Sequence, residues 1–255
     1  MVRPGVLLAL AALWAPAQSR LEAPRVGFVL DWENRLRPLY GIAGNFVLGE
    51  AVAAGVISAA SSTRATLIKL ERELVLLDAH GAVRMRWEAP PGGALFAFTP
   101  AGEPALVYFS ETGELCRIAA GQALAPLWTS RDWLIAVGKP DDGRAALIVR
   151  SERGLVLRTL HLASGQLEQE SLLALDAGPA VLLPDGLAVY ARGPELCVKG
   201  RDESERCVSL PTPAEALGQL NQDWVEIVLT AGAGRMALRV GTGSLALYGL
   251  PEVKP

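Results

Sequence analysis

The chain has 255 residues, 51% of them hydrophobic and 20% charged, with a formal net charge of −3. That is ample apolar material for a core, and it excludes an intrinsically disordered chain. The slight acidic balance carries no basic block, so nucleic acid is set aside as a partner, because phosphate binding needs a positive face.

The first stretch, "MVRPGVLLALAALWAPAQSR", places Arg3 ahead of an apolar run over residues 6–15 and then a series of small residues. This is the pattern of a signal peptide over residues 1–17, with cleavage after Ala17 or, alternatively, after Ser19. The run is too short to span a bilayer comfortably, so no stable membrane span is expected after cleavage. No Cys follows it, which disfavours a lipid anchor. The expected location is the periplasm or the extracellular medium, and removal of Arg3 leaves 23 basic against 27 acidic side chains.

Beyond this segment the texture is uniform. Short apolar runs such as "RVGFVL" (25–30), "TLIKL" (66–70), "ELVLLD" (73–78), "ALVYF" (105–109), "AALIVR" (145–150) and "LAVYAR" (187–192) are separated by Gly, Pro, Asp and Ser. None leads into a long helical pattern, which argues against βαβ units and for an all-β chain. Leu74, Leu115, Leu155, Leu196 and Leu245 head similar strands at intervals of 41, 40, 41 and 49 residues. The last interval reads as carrying an insertion, "PTPAEALGQLNQ" (211–222), that forms a loop with room for one helical turn. A period near forty with about four strands per repeat is that of a β-propeller blade, a small twisted sheet that must stack on its neighbours in a ring. The twin segments "DWLIAVGKPDDGRAALIV" (132–149) and "DWVEIVLTAGAGRMALRV" (223–240) then read as inner hairpins in equivalent slots of two blades.

A second column precedes the second strand of each repeat: "TPAGEPALVYF", "KPDDGRAALIV", "LPDGLAVYA" and "TAGAGRMALRV". Pro presets its backbone angle and Gly accepts positive φ, so Pro-Asp-Gly makes a tight turn. At Pro140-Asp141-Asp142-Gly143 and Pro184-Asp185-Gly186 the chain resembles the bacterial TolB-type, WD40-like propeller repeat, although "STRATLIKL" has lost the turn and the other copies are degenerate. The resemblance covers most of the chain after the signal segment. It implies a fold and transfers no catalytic residue, because the family holds scaffolds, receptors and enzymes.

Five leucine registers imply five blades in a single domain over residues 18–255. The C-terminal unit offers three strands, at 223–230, 235–240 and 244–249, and "RVGFVLDWENRLRPLYG" offers two strands with no blade of their own. An N-terminal strand is therefore expected to complete the last blade and close the ring. The alternative is six blades, with an irregular N-terminal one.

Chemistry-bearing residues are sparse. His80 and His161, the two histidines, have no metal partner at useful spacing, and no zinc, phosphate-loop, calcium-loop or nucleophile-elbow motif occurs. No metal or cofactor is expected. Cys197 and Cys207 flank the hairpin "CVKGRDESERC" and would face each other if its turn centres on Asp202. They either form a disulfide or, since Cys116 shares a repeat column with Cys197, fill small buried positions. Trp87 and Trp128 end outer strands one period apart and read as blade packing or rim residues.

The Asp-Trp pairs are the most notable polar feature. If Asp132-Trp133 and Asp223-Trp224 open channel-lining strands, Trp133 and Trp224 offer a stacking face and the carboxylates offer hydrogen bonds to a sugar or peptide. The plainer reading wedges Trp between blades and uses Asp to cap the preceding loop. The chain is accordingly expected to be a monomeric binding or scaffold module without catalysis, meeting a protein or carbohydrate ligand at its loop surface or channel mouth. The rival is a glycoside hydrolase or other channel-site enzyme, with Asp132, Asp223 and Glu226 as the candidate carboxyls. Acids converging in a deep channel would favour the enzyme, and an apolar, filled channel the module.

Overall fold

The computed structural model describes residues 23–252 except 120, 140, 177 and 201, so the expected signal peptide and its cleavage sites lie outside the described residues. The strands group into six antiparallel sheets. The first holds β1 (Arg25–Leu30), β2 (Leu36–Ile42) and β3 (Asn45–Leu48). The second holds β4 (Ser58–Ser61), β5 (Ala65–Lys69), β6 (Glu73–Asp78) and β7 (Val83–Glu88). The third holds β8 (Ala94–Phe98), β9 (Pro104–Phe109), β10 (Glu114–Arg117) and β11 (Ala125–Thr129). The fourth holds β12 (Trp133–Gly138), β13 (Arg144–Ser151), β14 (Gly154–His161) and β15 (Leu167–Ala174). The fifth holds β16 (Ala180–Leu182), β17 (Ala188–Arg192), β18 (Glu195–Lys199) and β19 (Glu205–Ser209). The sixth holds β20 (Ala214–Gln219), β21 (Trp224–Leu229), β22 (Arg235–Val240) and β23 (Leu245–Gly249).

Strand alternation explains why these sheets stack. Successive side chains point to opposite faces, so each inner strand buries one set against the preceding blade and the other against the following one. In β6, Leu74 and Leu76 pack with Phe96 and Val107 of the third blade, while Val75 and Leu77 pack with Phe28 and Leu36 of the first. The same division recurs at every seam. Each of the six apolar clusters is shared by two adjacent blades, including the cluster of Val26, Val29, Leu39 and Phe46 with Leu220 and Ala237 that joins last to first. Fully burying one such leucine is worth about 1.5–3 kcal/mol, so the seams hold the ring.

The fold is thus an all-β propeller with six blades, and among the described residues five are four-stranded and the N-terminal one three-stranded. Three expectations need correction. The N-terminal strands do not complete the last blade, because they form a sheet of their own and the last blade draws all four strands from the C-terminal stretch. Its fourth member is β20, which occupies the segment expected to be an inserted loop. The leucine register also slips at its end. Leu74, Leu115, Leu155 and Leu196 all lie on third strands, fully buried and facing the following blade. Leu245 instead lies on a fourth strand. The true counterpart is Ala237, on the third strand β22, fully buried and facing the first blade.

Five first strands surround the axis. Residues of β4, β8, β12, β16 and β20 line a central channel of about 90 Å3, with no residue of β1 among them. β4 and β20 contact each other directly, leaving the first blade outside that inner ring. β1 is held against the outer end of β20, where a Cβ at Gly27 would sit 2.4 Å from the Leu220 carbonyl oxygen. The expected five blades are therefore corrected to six, the stated alternative: five first strands line the axis, but the described residues form six sheets.

Candidate functional site

The channel lining includes Ala59, Leu95, Ile135, Val181 and Leu217, and Gln219 is its polar exception. No charged residue lies in that lining, so Asp132, Asp223 and Glu226 do not converge there. The two Asp-Trp pairs also occupy different slots. Asp132-Trp133 opens β12, a first strand, whereas Asp223-Trp224 opens β21, a second strand. Adjacent hairpins of a blade share strand length and alternation, so a shift of one strand leaves the sequence pattern looking the same. The equivalence expected of the two pairs is therefore corrected.

Trp224 is an interblade wedge. Its ring meets Phe46 of β3 edge-on at 5.5 Å and Tyr248 of β23 at 5.6 Å. Asp223 contributes backbone: its carbonyl accepts from Val240 N at 2.8 Å. The loop before β21 is capped by Asn221, whose Oδ1 accepts from the backbone N–H groups of Asp223 (2.8 Å) and Trp224 (3.1 Å). Asp141 does the same for Gly143 and Arg144, and Ser62 for Arg64 and Ala65, each three residues ahead of its second strand. Glu226 lies on β21 at the seam between the sixth and first blades, where its Oε1 accepts from Arg235 Nη1 at 3.0 Å. Burial raises its carboxyl to about 7 against the pull of Arg235.

Asp132 and Trp133 belong to a separate hollow of about 510 Å3 between the third and fourth blades. Its walls come from the β9–β10 turn, with Ser110, Glu111 and Thr112, and from the loop entering β12, with Arg131 and Asp132. That loop is shaped by Ser130, whose Oγ accepts from Asp132 N at 3.0 Å. Arg158 of β14 donates to Asp132 and, at 2.9 Å, to Glu170, fixing the carboxylate from behind. Trp133 is 74% exposed at the rim, so here the expected wedge does not form. Tyr108 of β9, only 3% exposed, also lines the hollow. Burial, then the nearby Asp132 charge, raises its hydroxyl above the usual phenol range.

Tyr108 was hidden in the apolar run "ALVYF", but the blade register makes its position meaningful. It pairs with Leu115 across β9 and β10, as Lys69 pairs with Leu74 and Glu226 with Ala237. This column places a polar head at several seams. Lys69 Nζ donates to the carbonyl of Glu71 at 3.0 Å, and Glu226 takes Arg235. The Tyr108 hydroxyl has no hydrogen-bond partner among the described residues, and its seam opens into the hollow.

The remaining candidates have structural settings. Cys197 and Cys207 lie directly opposite on β18 and β19 and are joined in a disulfide, with Cα atoms 4.1 Å apart. Cys116 is a free, buried thiol raised by desolvation to about 11. Glu195 with the two bridged cysteines is the one cluster of metal-ligand types among the described residues, and the disulfide occupies both sulfurs. His80 is exposed in a turn, and His161 Nδ1 lies 3.0 Å from Ser164 Oγ. Trp87 Nε1 donates to the Gln122 carbonyl of the next blade at 2.8 Å, and Trp128 packs at the seam between the third and fourth blades. No helix among the described residues is long and apolar enough to cross a membrane.

The geometry defines a six-bladed β-propeller, and comparison with solved structures agrees on the propeller fold. The chain is similar to the WD40 domain of Neurospora crassa Pan2 (TM-score 0.54, 10% identity, covering 91% of this chain and 80% of that one). It is similar to PorZ, a bacterial surface component of the type-IX secretion system of Porphyromonas gingivalis (0.53, 11%, 91% of this chain and 38% of that one). It is also similar to virginiamycin B lyase from Staphylococcus aureus (0.50, 11%, 90% and 85%). At these identities the likeness is one of fold. No protein-family model and no curated protein sequence matches the chain.

Proposed function

We propose that this chain is an exported β-propeller of the TolB-type repeat class that acts as a monomeric binding or scaffold module without turnover, meeting a protein or carbohydrate ligand on its loop surface. The observation that carries this reading is the channel. The axial site, where a propeller enzyme would gather carboxyls, is narrow and lined by apolar residues. A polar hollow of about 510 Å3 sits instead at a blade seam, walled by turns and a loop, where a ring fold varies its sequence at little cost to the core. Export rests on the apolar run and small residues before position 20.

The test is a screen of the purified protein with chromogenic glycosides and polysaccharides, alongside N-terminal sequencing of secreted material. The expected result is no turnover and a chain beginning at Gln18 or Arg20. Turnover that vanishes in Asp132→Asn or Asp223→Asn with the melting temperature unchanged would establish the hydrolase instead, and an intact Met1 on secreted material would remove the signal peptide.

A further inference from the structure

We propose that the hollow between the third and fourth blades is a saccharide-binding site in which Trp133 stacks on a sugar ring while Asp132, Glu111, Ser110 and Tyr108 take its hydroxyls. This rests on the binding-module reading and names the ligand class of that surface.

The first observation is the seam column. Lys69 and Glu226 sit at positions equivalent to Tyr108, and each has its polar head satisfied within the protein, by backbone carbonyls or by Arg235. At the Tyr108 seam no partner is supplied among the described residues, although the residue is only 3% exposed and lines an open hollow. The small exposed part of the residue opens onto this hollow, so its hydroxyl is free to hydrogen-bond whatever polar molecule occupies that space. The second observation is Trp133. Trp133, 74% exposed at the rim, keeps a large apolar surface in water with no ring of the described residues against it.

The chemistry of the walls selects the ligand. Glu111 and Asp132 stand near Arg131, with Arg158 behind Asp132, so the charges nearly cancel and neither an anion nor a cation is favoured. What remains is a set of fixed acceptors and hydroxyls beside one aromatic face. A pyranose matches this on both counts, having an apolar C–H face for the indole and a ring of hydroxyl donors for the carboxylates. The volume of about 510 Å3 lies within the roughly 300–1,000 Å3 of small-molecule sites. It is larger than one sugar ring needs, so a short oligosaccharide is the expected size.

The experiment titrates the purified protein with cellotetraose, xylotetraose, maltotetraose, mannotetraose and chitotetraose, following tryptophan fluorescence and binding heat. At least one is expected to bind and to shift the emission. Trp133→Ala and Tyr108→Phe are each expected to weaken that binding about tenfold or more, and Trp133→Ala, an exposed position, leaves folding intact by circular dichroism. Trp128→Phe, away from the hollow's lining, should bind as the wild type does. The proposal is overturned if no saccharide of the panel binds, or if the one that binds does so equally well in Trp133→Ala and Tyr108→Phe. A failed panel without glycoside turnover removes only the saccharide assignment. A failed panel with turnover removes the binding-module reading as well.

Discussion

The side-chain amide of Asn221 donates to the backbone carbonyl of Val26 at 2.6 Å, across 195 positions of sequence. The same side chain accepts from the two N–H groups that open β21. One residue therefore shapes the turn of the last blade and ties it to the first. Ser62 makes the corresponding bond to Gly102 between the second and third blades, at 2.6 Å. The ring closes through the device it uses elsewhere, and no strand is exchanged.

Two substitutions separate these roles. Asn221→Asp keeps the acceptor for the turn and loses the donor to Val26, while Asn221→Ala loses both. The expected costs are about 1–2 kcal/mol for the first and about 2–4 kcal/mol for the second, since a buried carbonyl and then two buried N–H groups lose their partners. Urea unfolding of both variants checks the order: equal midpoints for the two would show that the turn cap contributes nothing, and an Asp variant with the wild-type midpoint that the link to Val26 contributes nothing.

The aromatic cluster beside this bond closes the outer part of the seam. Phe46, nearly buried, meets Trp224 at 5.5 Å and Tyr248 at 6.3 Å. Phe46→Ala is expected to cost about 3–5 kcal/mol, as for other buried Phe truncations, and to raise the exposure of Trp224. A red-shifted tryptophan emission together with a lower melting temperature is the expected signature. An unchanged melting temperature would mean that the first blade does not hold the ring shut.

These closure contacts mark where the sequence stopped being legible. Period and turn chemistry gave the propeller, because Leu74, Leu115, Leu155 and Leu196 each face the next blade and an apolar residue there is obligatory. At the fifth register the obligatory residue is Ala237, too small to stand out, and Leu245 one strand later drew the alignment off phase. That slip hid β20 and made the N-terminal strands seem to be spare parts. For the candidate site, Asp132 and Trp133 were visible as an unusual pair. Tyr108 was not, because an aromatic in an apolar strand reads as core until the register shows which seam its hydroxyl meets.

The disulfide ties an outer strand to its sheet. Cys197 is buried on β18 and Cys207 exposed on the edge strand β19, ten residues apart. Replacing both with Ala removes a short cross-link from the unfolded chain, for an expected loss of about 2–3 kcal/mol. Hydrogen exchange should quicken first in 205–209. Cys116 has the same place in the third blade but faces Pro126 across β10 and β11, so Cys116→Ala should lower stability through packing alone, by about 1 kcal/mol, whether or not reductant is present. A reductant-sensitive loss in that variant beyond the wild type's would contradict the pairing.

Glu226 gives the fold a pH dependence with a definite sign. Its carboxyl is raised from 4.5 to about 7 by burial at the seam, against the opposing effect of Arg235. Between these values the folded protein holds a proton that the unfolded chain has released, so stability falls as pH rises through this window and levels off above it. Gln keeps the shape of the side chain and cannot ionise. It leaves Arg235 without its carboxylate, although that guanidinium still donates to the Leu30 carbonyl. The melting temperature of Glu226→Gln relative to the wild type is therefore expected to climb between pH 4.5 and 7 and then stay level. A relative melting temperature that is flat across this window would mean that burial does not raise the Glu226 carboxyl, and one that is flat here but falls as pH rises toward 4.5 from below would mean that Arg235 wins over burial and holds the group ionised.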